Sequence, residues 1–236
     1  AVFIIDEMIT GFRAGLPGSY VRQGLTPDMV TWGKASGNGF SFCALTGRAE
    51  IMDLGGIKQT TRPRVFLLSS THGGEAHSLA AARAVIREYQ TKDGLGHHRR
   101  IVSRVGEGVR RAVEKHNIGG AIELHATPWR ISFVCKDADG QVSLPFRTLL
   151  LQEMIGRGIL FQGVFLPCFS HSEEDTTSII NAFDQAFVVY AHALKHGLHQ
   201  HLVGVAIRPV FRKYVGCDRV CPNNPCQHEA TCQTGV

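Results

Sequence analysis

The chain has 236 residues, with 25 basic against 20 acidic side chains for a formal net charge of +5, and 44% of it is apolar. That length supports one substantial core, or one core with a small appendage, and the composition is that of an ordinary globular protein. The charge is dispersed: the densest basic stretch, His97-His98-Arg99-Arg100, reads as a solvated helix start and not as a nucleic-acid surface, and no apolar run approaches the ~18 residues of a membrane span.

Taken in chain order, Ala1-Val2-Phe3-Ile4-Ile5 reads as a buried strand ending at Asp6, with none of the basic residues that lead a signal peptide. A domain that opens in mid-strand is expected to continue upstream. Gly11, Gly15, Pro17 and Gly18 mark a loop. Met29-Val30-Thr31-Trp32 is a short strand, and the Gly-rich loop Gly33-Lys34-Ala35-Ser36-Gly37-Asn38-Gly39 follows it. Val65-Phe66-Leu67-Leu68 is a further apolar run, leading into Ser69-Ser70-Thr71-His72-Gly73-Gly74. The alanine-rich segment from Glu75 to Tyr89 is strongly helical. Residues 99–116 repeat the helical pattern, with Ile101, Val105, Val109 and Val113 four apart.

Beyond Gly119-Gly120 the character changes. Arg130 to Val134 is a strand, Asp137-Ala138-Asp139-Gly140 a turn, and Phe146–Ile155 and Glu174–Leu194 are helices. Ser172, with Asp175 three residues on, supplies a helix cap. An α/β segment is therefore followed by a smaller α+β segment, with boundaries expected at 1–118, 119–197, an extension over 198–216 and a Cys-rich segment over 217–236.

Three polar residues stand just past the carboxyl ends of strands: Asp6, Lys34 and Thr71. Ligands of open α/β sheets settle at that edge. Singly, each has a bland reading, as turn former, solvated loop lysine and helix cap. Their order and wording carry more. Ile5-Asp6-Glu7-Met8-Ile9-Thr10-Gly11-Phe12-Arg13, Thr26-Pro27-Asp28-Met29-Val30-Thr31-Trp32-Gly33-Lys34, Gly47-Arg48-Ala49-Glu50-Ile51-Met52, Ser70-Thr71-His72-Gly73-Gly74 and His171-Ser172-Glu173-Glu174-Asp175 together resemble the signatures of the class III aminotransferases, closest to their glutamate-1-semialdehyde aminomutase branch. The resemblance runs from residue 1 to about 195, and its most specific parts are the Asp6 and Lys34 motifs.

That resemblance implies a fold type I large domain, here partial, followed by a small α+β domain, and pyridoxal 5'-phosphate as cofactor. It implies amino-group transfer, or an internal amino shift, on a small amino-acid or amino-sugar-like substrate. A carboxylate against the ring nitrogen keeps it protonated, and Asp6 holds the matching position. Lys34 would form the Schiff base and then shuttle a proton, which needs a neutral, partly desolvated amine. Met8 would pack on the ring where Val is usual; its bland reading is plain core. Thr71 would bind the phosphate of a neighbouring subunit's cofactor, implying a homodimer. Asn38 replaces a glycine after the lysine, though asparagine tolerates positive φ. Phe40-Ser41-Phe42-Cys43 and Glu75-Ala76 also depart from the family's wording, marking a divergent branch. The family's earlier half, with a phosphate loop and a ring-stacking aromatic, has no counterpart, so this chain alone is expected to bind the cofactor weakly.

Cysteine usage divides the chain. Cys43, Cys135 and Cys168 are scattered, as reduced thiols of a cytoplasmic enzyme would be, whereas Cys217, Cys221, Cys226 and Cys232 crowd the end. Within that set Cys221, Cys226 and Cys232 resemble the first three cysteines of an epidermal-growth-factor-like repeat, which supports a rival reading as an extracellular binding protein on a degenerate scaffold. Zinc is a weaker reading of those thiols, and no metal site is expected. Neither nucleic acid nor membrane is expected as a partner.

Overall fold

The computed structural model of the chain describes residues 1–57, 61–64 and 73–208. The opening apolar run forms β1 (Ile4–Asp6), parallel to β2 (Met29–Trp32), with Ile4 opposite Met29 and Asp6 opposite Thr31. The crossover between them carries the short α1 (Ser19–Arg22). β3 (Ala44–Gly47) pairs antiparallel on the other side of β2, giving the order β1-β2-β3. β2, in the middle, buries alternate residues Val30 and Trp32, as the pleat of a strand dictates. Phe12 and Tyr20 meet the Trp32 ring edge-on, and Trp32 Nε1 donates to Thr46 Oγ1 at 2.8 Å across the β2–β3 pair.

β1 is not the buried strand its residues suggest. Ile4 is 53% exposed, because among the described residues no strand pairs with the free side of β1. A wholly apolar parallel strand needs cover on both faces, and this one lacks it.

After α2 (Ala49–Met52) come α3 (Ala76–Thr91) and α4 (Gly94–Lys115). The apolar run 65–68 and Thr71 lie outside the described residues. α4 starts earlier than its valine spacing suggests, because the Asp93 carboxylate caps it by accepting the Gly96 N–H at 3.0 Å. The basic quartet thus sits inside the helix, and His98 is 3% exposed instead of solvated. The cause is periodicity: His98 precedes Ile101 and Val102 by three and four residues, so it shares their buried face.

A second sheet combines β4 (Ile122–Thr127), β5 (Arg130–Cys135) and β6 (Val164–Phe165), all antiparallel. α4, α5 (Leu144–Gly156) and α6 (Glu173–His196) pack with it around a core that includes Val105, Ile131, Leu149, Phe183 and Phe187. The stripe of α4, read with the first segment from sequence, joins this second core. Gly108 lets α6 come close, since a Cβ there would stand 2.6 Å from Ile180. Ser172 and Asp175 cap α6 reciprocally, as their spacing foretells.

The extension after α6 forms no strand among its described residues. Beyond a short 3-10 turn at Leu198–Gln200, its backbone is tied to α5: Gln152 Nε2 donates to the His201 carbonyl, and the Val203 and Ile207 N–H groups donate to Gln152 and Thr148 side chains. Cys43, Cys135 and Cys168 are free thiols. Residues from Pro209 on, including the four clustered cysteines, lie outside the described residues. Among the described residues no helix is long and apolar enough to cross a membrane, and no cluster of side chains suits a metal ion.

Candidate active site

The parallel register places Asp6 and Thr31 side by side at the carboxyl ends of β1 and β2. Asp6 Oδ1 accepts the Met8 N–H at 2.8 Å and the Thr31 hydroxyl at 3.0 Å. Those two donors, backbone first, hold its carboxyl below the usual carboxylate range, and the nearby Lys34 ammonium adds to the effect. Asp6 is exposed and ionised at neutral pH.

Lys34 follows β2 directly after Gly33. Its φ of 49° lies in the left-handed region, and it opens a 3-10 turn through Ser36 whose hydroxyl donates to the Gly33 carbonyl at 3.0 Å. Asn38 takes φ 46°, the conformation its replacement of a glycine requires. Gly33 has a specific task. A Cβ there would meet Met8 Cε at 2.3 Å and Sδ at 2.8 Å, so the thioether lies directly on the residue preceding Lys34. Asp6, Met8 and Lys34 therefore form one patch at the sheet edge. The desolvation expected at Lys34 is not present: its side chain is exposed, because none of the described residues covers it.

Glu7 is the residue the sequence reading passed over. It is fully buried, and its carboxylate accepts from the Thr10 hydroxyl, the Ser19 hydroxyl at 2.7 Å and the Tyr20 N–H at 2.9 Å. Burial pushes its carboxyl up, but the three donors outweigh that and leave it below its ordinary value. Glu7 thus pins the loop from Thr10 to Tyr20 under the patch. The signal was available: a glutamate directly after a strand, followed by the polar Thr10 and a Gly-rich loop, has many backbone and hydroxyl donors within reach. Thr31 was missed for another reason, since its pairing with Asp6 appears only once the two strands are known to be parallel neighbours.

A ring carrying a basic nitrogen and an aldehyde fits these residues: an ionised carboxylate for the nitrogen, a lysine for the aldehyde, and the Met8–Gly33 surface beside them. The residue expected at the phosphate, Thr71, is outside the described residues.

In fold, the chain resembles a solved transaminase with pyridoxal phosphate bound, at a TM-score of 0.73 and 18% identity over 83% of this chain and 46% of that one. The sheet and its helices have the α/β architecture of the fold type I transaminases. A family model, aminotransferase class III, matches residues 1–163, and the chain belongs to that family. It is 30% identical over 205 residues to a glutamate-1-semialdehyde 2,1-aminomutase of Deinococcus radiodurans, covering 79% of this chain and 44% of that protein. It is 27% identical over 187 residues to a 3-aminobutyryl-CoA aminotransferase of Cloacimonas acidaminovorans, covering 78% and 43%. The chain spans less than half the length of these relatives. None of these matches supports the extracellular binding reading.

Proposed function

We propose that this chain is the carboxyl-terminal half of the working site of a pyridoxal-phosphate enzyme that transfers an amino group, or shifts one within its substrate. The observation that carries the reading is that Asp6 ends β1 and Lys34 stands two residues past the end of the parallel β2, with Met8 packed on Gly33 beside them. When bound, the cofactor supplies an electron sink for the pair released at the substrate's amino carbon.

The chain's own residues supply the rest. Asp6 holds a proton at the ring nitrogen, and Thr31 and the Met8 N–H keep its carboxylate aimed and charged. Lys34 Nζ would hold the cofactor's aldehyde group and would move a proton to or from the substrate's amino carbon. Met8 would give the cofactor an apolar contact, and Glu7 anchors the loop from Thr10 to Tyr20. Thr71 is assigned to the phosphate of a neighbouring subunit, which makes the working enzyme a homodimer. The substrate is a small amino-acid-like or amino-sugar-like compound, a reading that the glutamate-1-semialdehyde 2,1-aminomutase relatives support.

Asp6→Asn keeps the shape and the hydrogen bonds but removes the charge that holds the nitrogen's proton. With the amino-terminal half supplied, the variant should lose about two or more orders of magnitude in turnover. A rate within a few-fold of the parent would refute the assignment.

A further inference from the structure

A cavity of about 670 Å³ lies against the turn that carries Lys34. Ala35, Gly37 and Asn38 of that turn form one wall, and Lys34 and Asp6 are not part of the lining. α3 contributes Ala81, Ala84, Val85 and Tyr89 on another side, and the segment from Leu166 to Ser170 closes a third. The volume is that of a small-molecule site.

Three features of the wall concern charge. Arg13 lines the cavity, and among the described residues its one side-chain hydrogen bond is from Nη1 to the Ile9 carbonyl at 3.1 Å, with no carboxylate paired to it. Burial lowers its pKa, yet a guanidinium stays charged at any physiological pH. The wall's carboxylate, Glu88, is already held by Lys92 at 2.5 Å. The amino end of α4 reaches the cavity at Gly94, with the Asp93 cap turned to Gly96 and Arg100. A cationic group is left uncompensated.

The fourth feature is an orphan. His98, 3% exposed, lines the same cavity, and its Nδ1 has no hydrogen-bond partner among the described residues. Burial pushes this imidazole down to about 4, so the ring is neutral at physiological pH and leaves Arg13 as the charge on this wall.

We propose that this cavity binds a small organic carboxylate with a short apolar chain, its carboxylate on Arg13 and its chain against Ala84, Val85 and Leu166. The ligand abuts the Lys34 turn through Ala35 and Gly37, so its presence is felt at the lysine without touching it. The site does not depend on what Lys34 itself carries.

Cys168 makes the site measurable. It lines the cavity, is exposed, and its Sγ stands 3.2 Å from His171 Nδ1. Butanoate is the probe, and butylammonium, with the same chain and the opposite charge, is its control. Peptide-resolved alkylation of the full chain should show butanoate protecting Cys168 but not Cys43, with a Kd of about 1–10 mM, the affinity that one ion pair and a short chain supply. Butylammonium should give no protection. Arg13→Gln should weaken butanoate roughly tenfold or more. Ala84→Trp, which fills the apolar wall, should abolish protection. The comparison of the two probes on the unaltered chain decides the matter even where a variant fails to fold. Equal protection by butylammonium, butanoate binding unchanged in Arg13→Gln, or no protection at about 100 mM would each overturn the proposal.

Discussion

At the level of single residues, the proposed site rests on Glu7 and Gly33 as much as on Asp6 and Lys34. Glu7→Gln removes the charge from three donors in a fully buried position. The expected cost is about 1–3 kcal/mol, read as a lower urea midpoint. The direction with pH follows from linkage. Because the folded carboxyl lies below its ordinary value of 4.5, its contribution is complete above that pH and lost as pH falls through the lower folded value. The stability gap between parent and Gln variant should therefore be full near neutrality and shrink below about pH 4.5. A gap that widens on acidification would contradict this account of Glu7. Gly33→Ala drives a methyl into Met8, whose Cε lies 2.3 Å from the ideal Cβ. It should cost about 1–3 kcal/mol, and Met8→Ala in the same chain should recover part of it, a coupling that a double-mutant cycle measures. Simple additivity would show that the two residues do not share a surface.

Legibility from sequence at this scale follows a physical line. Asp6, Lys34 and the positive φ of Asn38 were readable because each sits in a fixed spacing next to a strand or a glycine. His98 was misread because a basic run draws attention to charge, whereas the helix period that buries it is set by apolar residues further on. Contacts made across strands, such as Thr31 to Asp6, leave no mark in local sequence.

At the level of elements, β2 and α6 were the clearest. β2 was legible because three of its four residues, Val30, Thr31 and Trp32, are β-branched or aromatic, and Gly33 follows directly. α6 was legible because the Ser172–Asp175 box announces its start. Ser172→Ala removes that cap and should cost about 1 kcal/mol, measured as a shift in thermal or urea midpoint. β3, β4 and β6 were not read. β4 carries Glu123 and His125 among its apolar residues, and its pairing with β5 is satisfied only in the folded sheet. β6 has two residues, too few for any alternation to show. α4 gained a turn at its start through the Asp93 cap, a signal present in the sequence but hidden before two glycines.

For the whole molecule, two packed units differ in how well they are covered. The second sheet and its three helices enclose a continuous core, with Tyr190 fully buried and its hydroxyl donating to the Lys136 carbonyl at 2.7 Å. The first sheet presents Val2, Phe3 and Ile4 to solvent at its β1 edge. An exposed apolar edge strand is a template for pairing with another chain. The chain alone should therefore self-associate as concentration rises, and Ile4→Lys should suppress this without lowering the unfolding midpoint of the second core. Light scattering reads the first effect and denaturation the second. Equal scattering by both proteins would place the sticky surface elsewhere.

The central claim is that Lys34, next to Asp6, is the lysine that meets pyridoxal phosphate. The direct measurement is borohydride reduction of the chain, with the amino-terminal half supplied and pyridoxal phosphate at stoichiometric ratio, followed by peptide mapping, in the parent and in Asp6→Asn. The account predicts the pyridoxyl group on Lys34 of the parent, with the preference over other lysines reduced once the carboxylate is gone. A label concentrated on Lys58 or any other lysine, or spread evenly over the chain's amines, would contradict it.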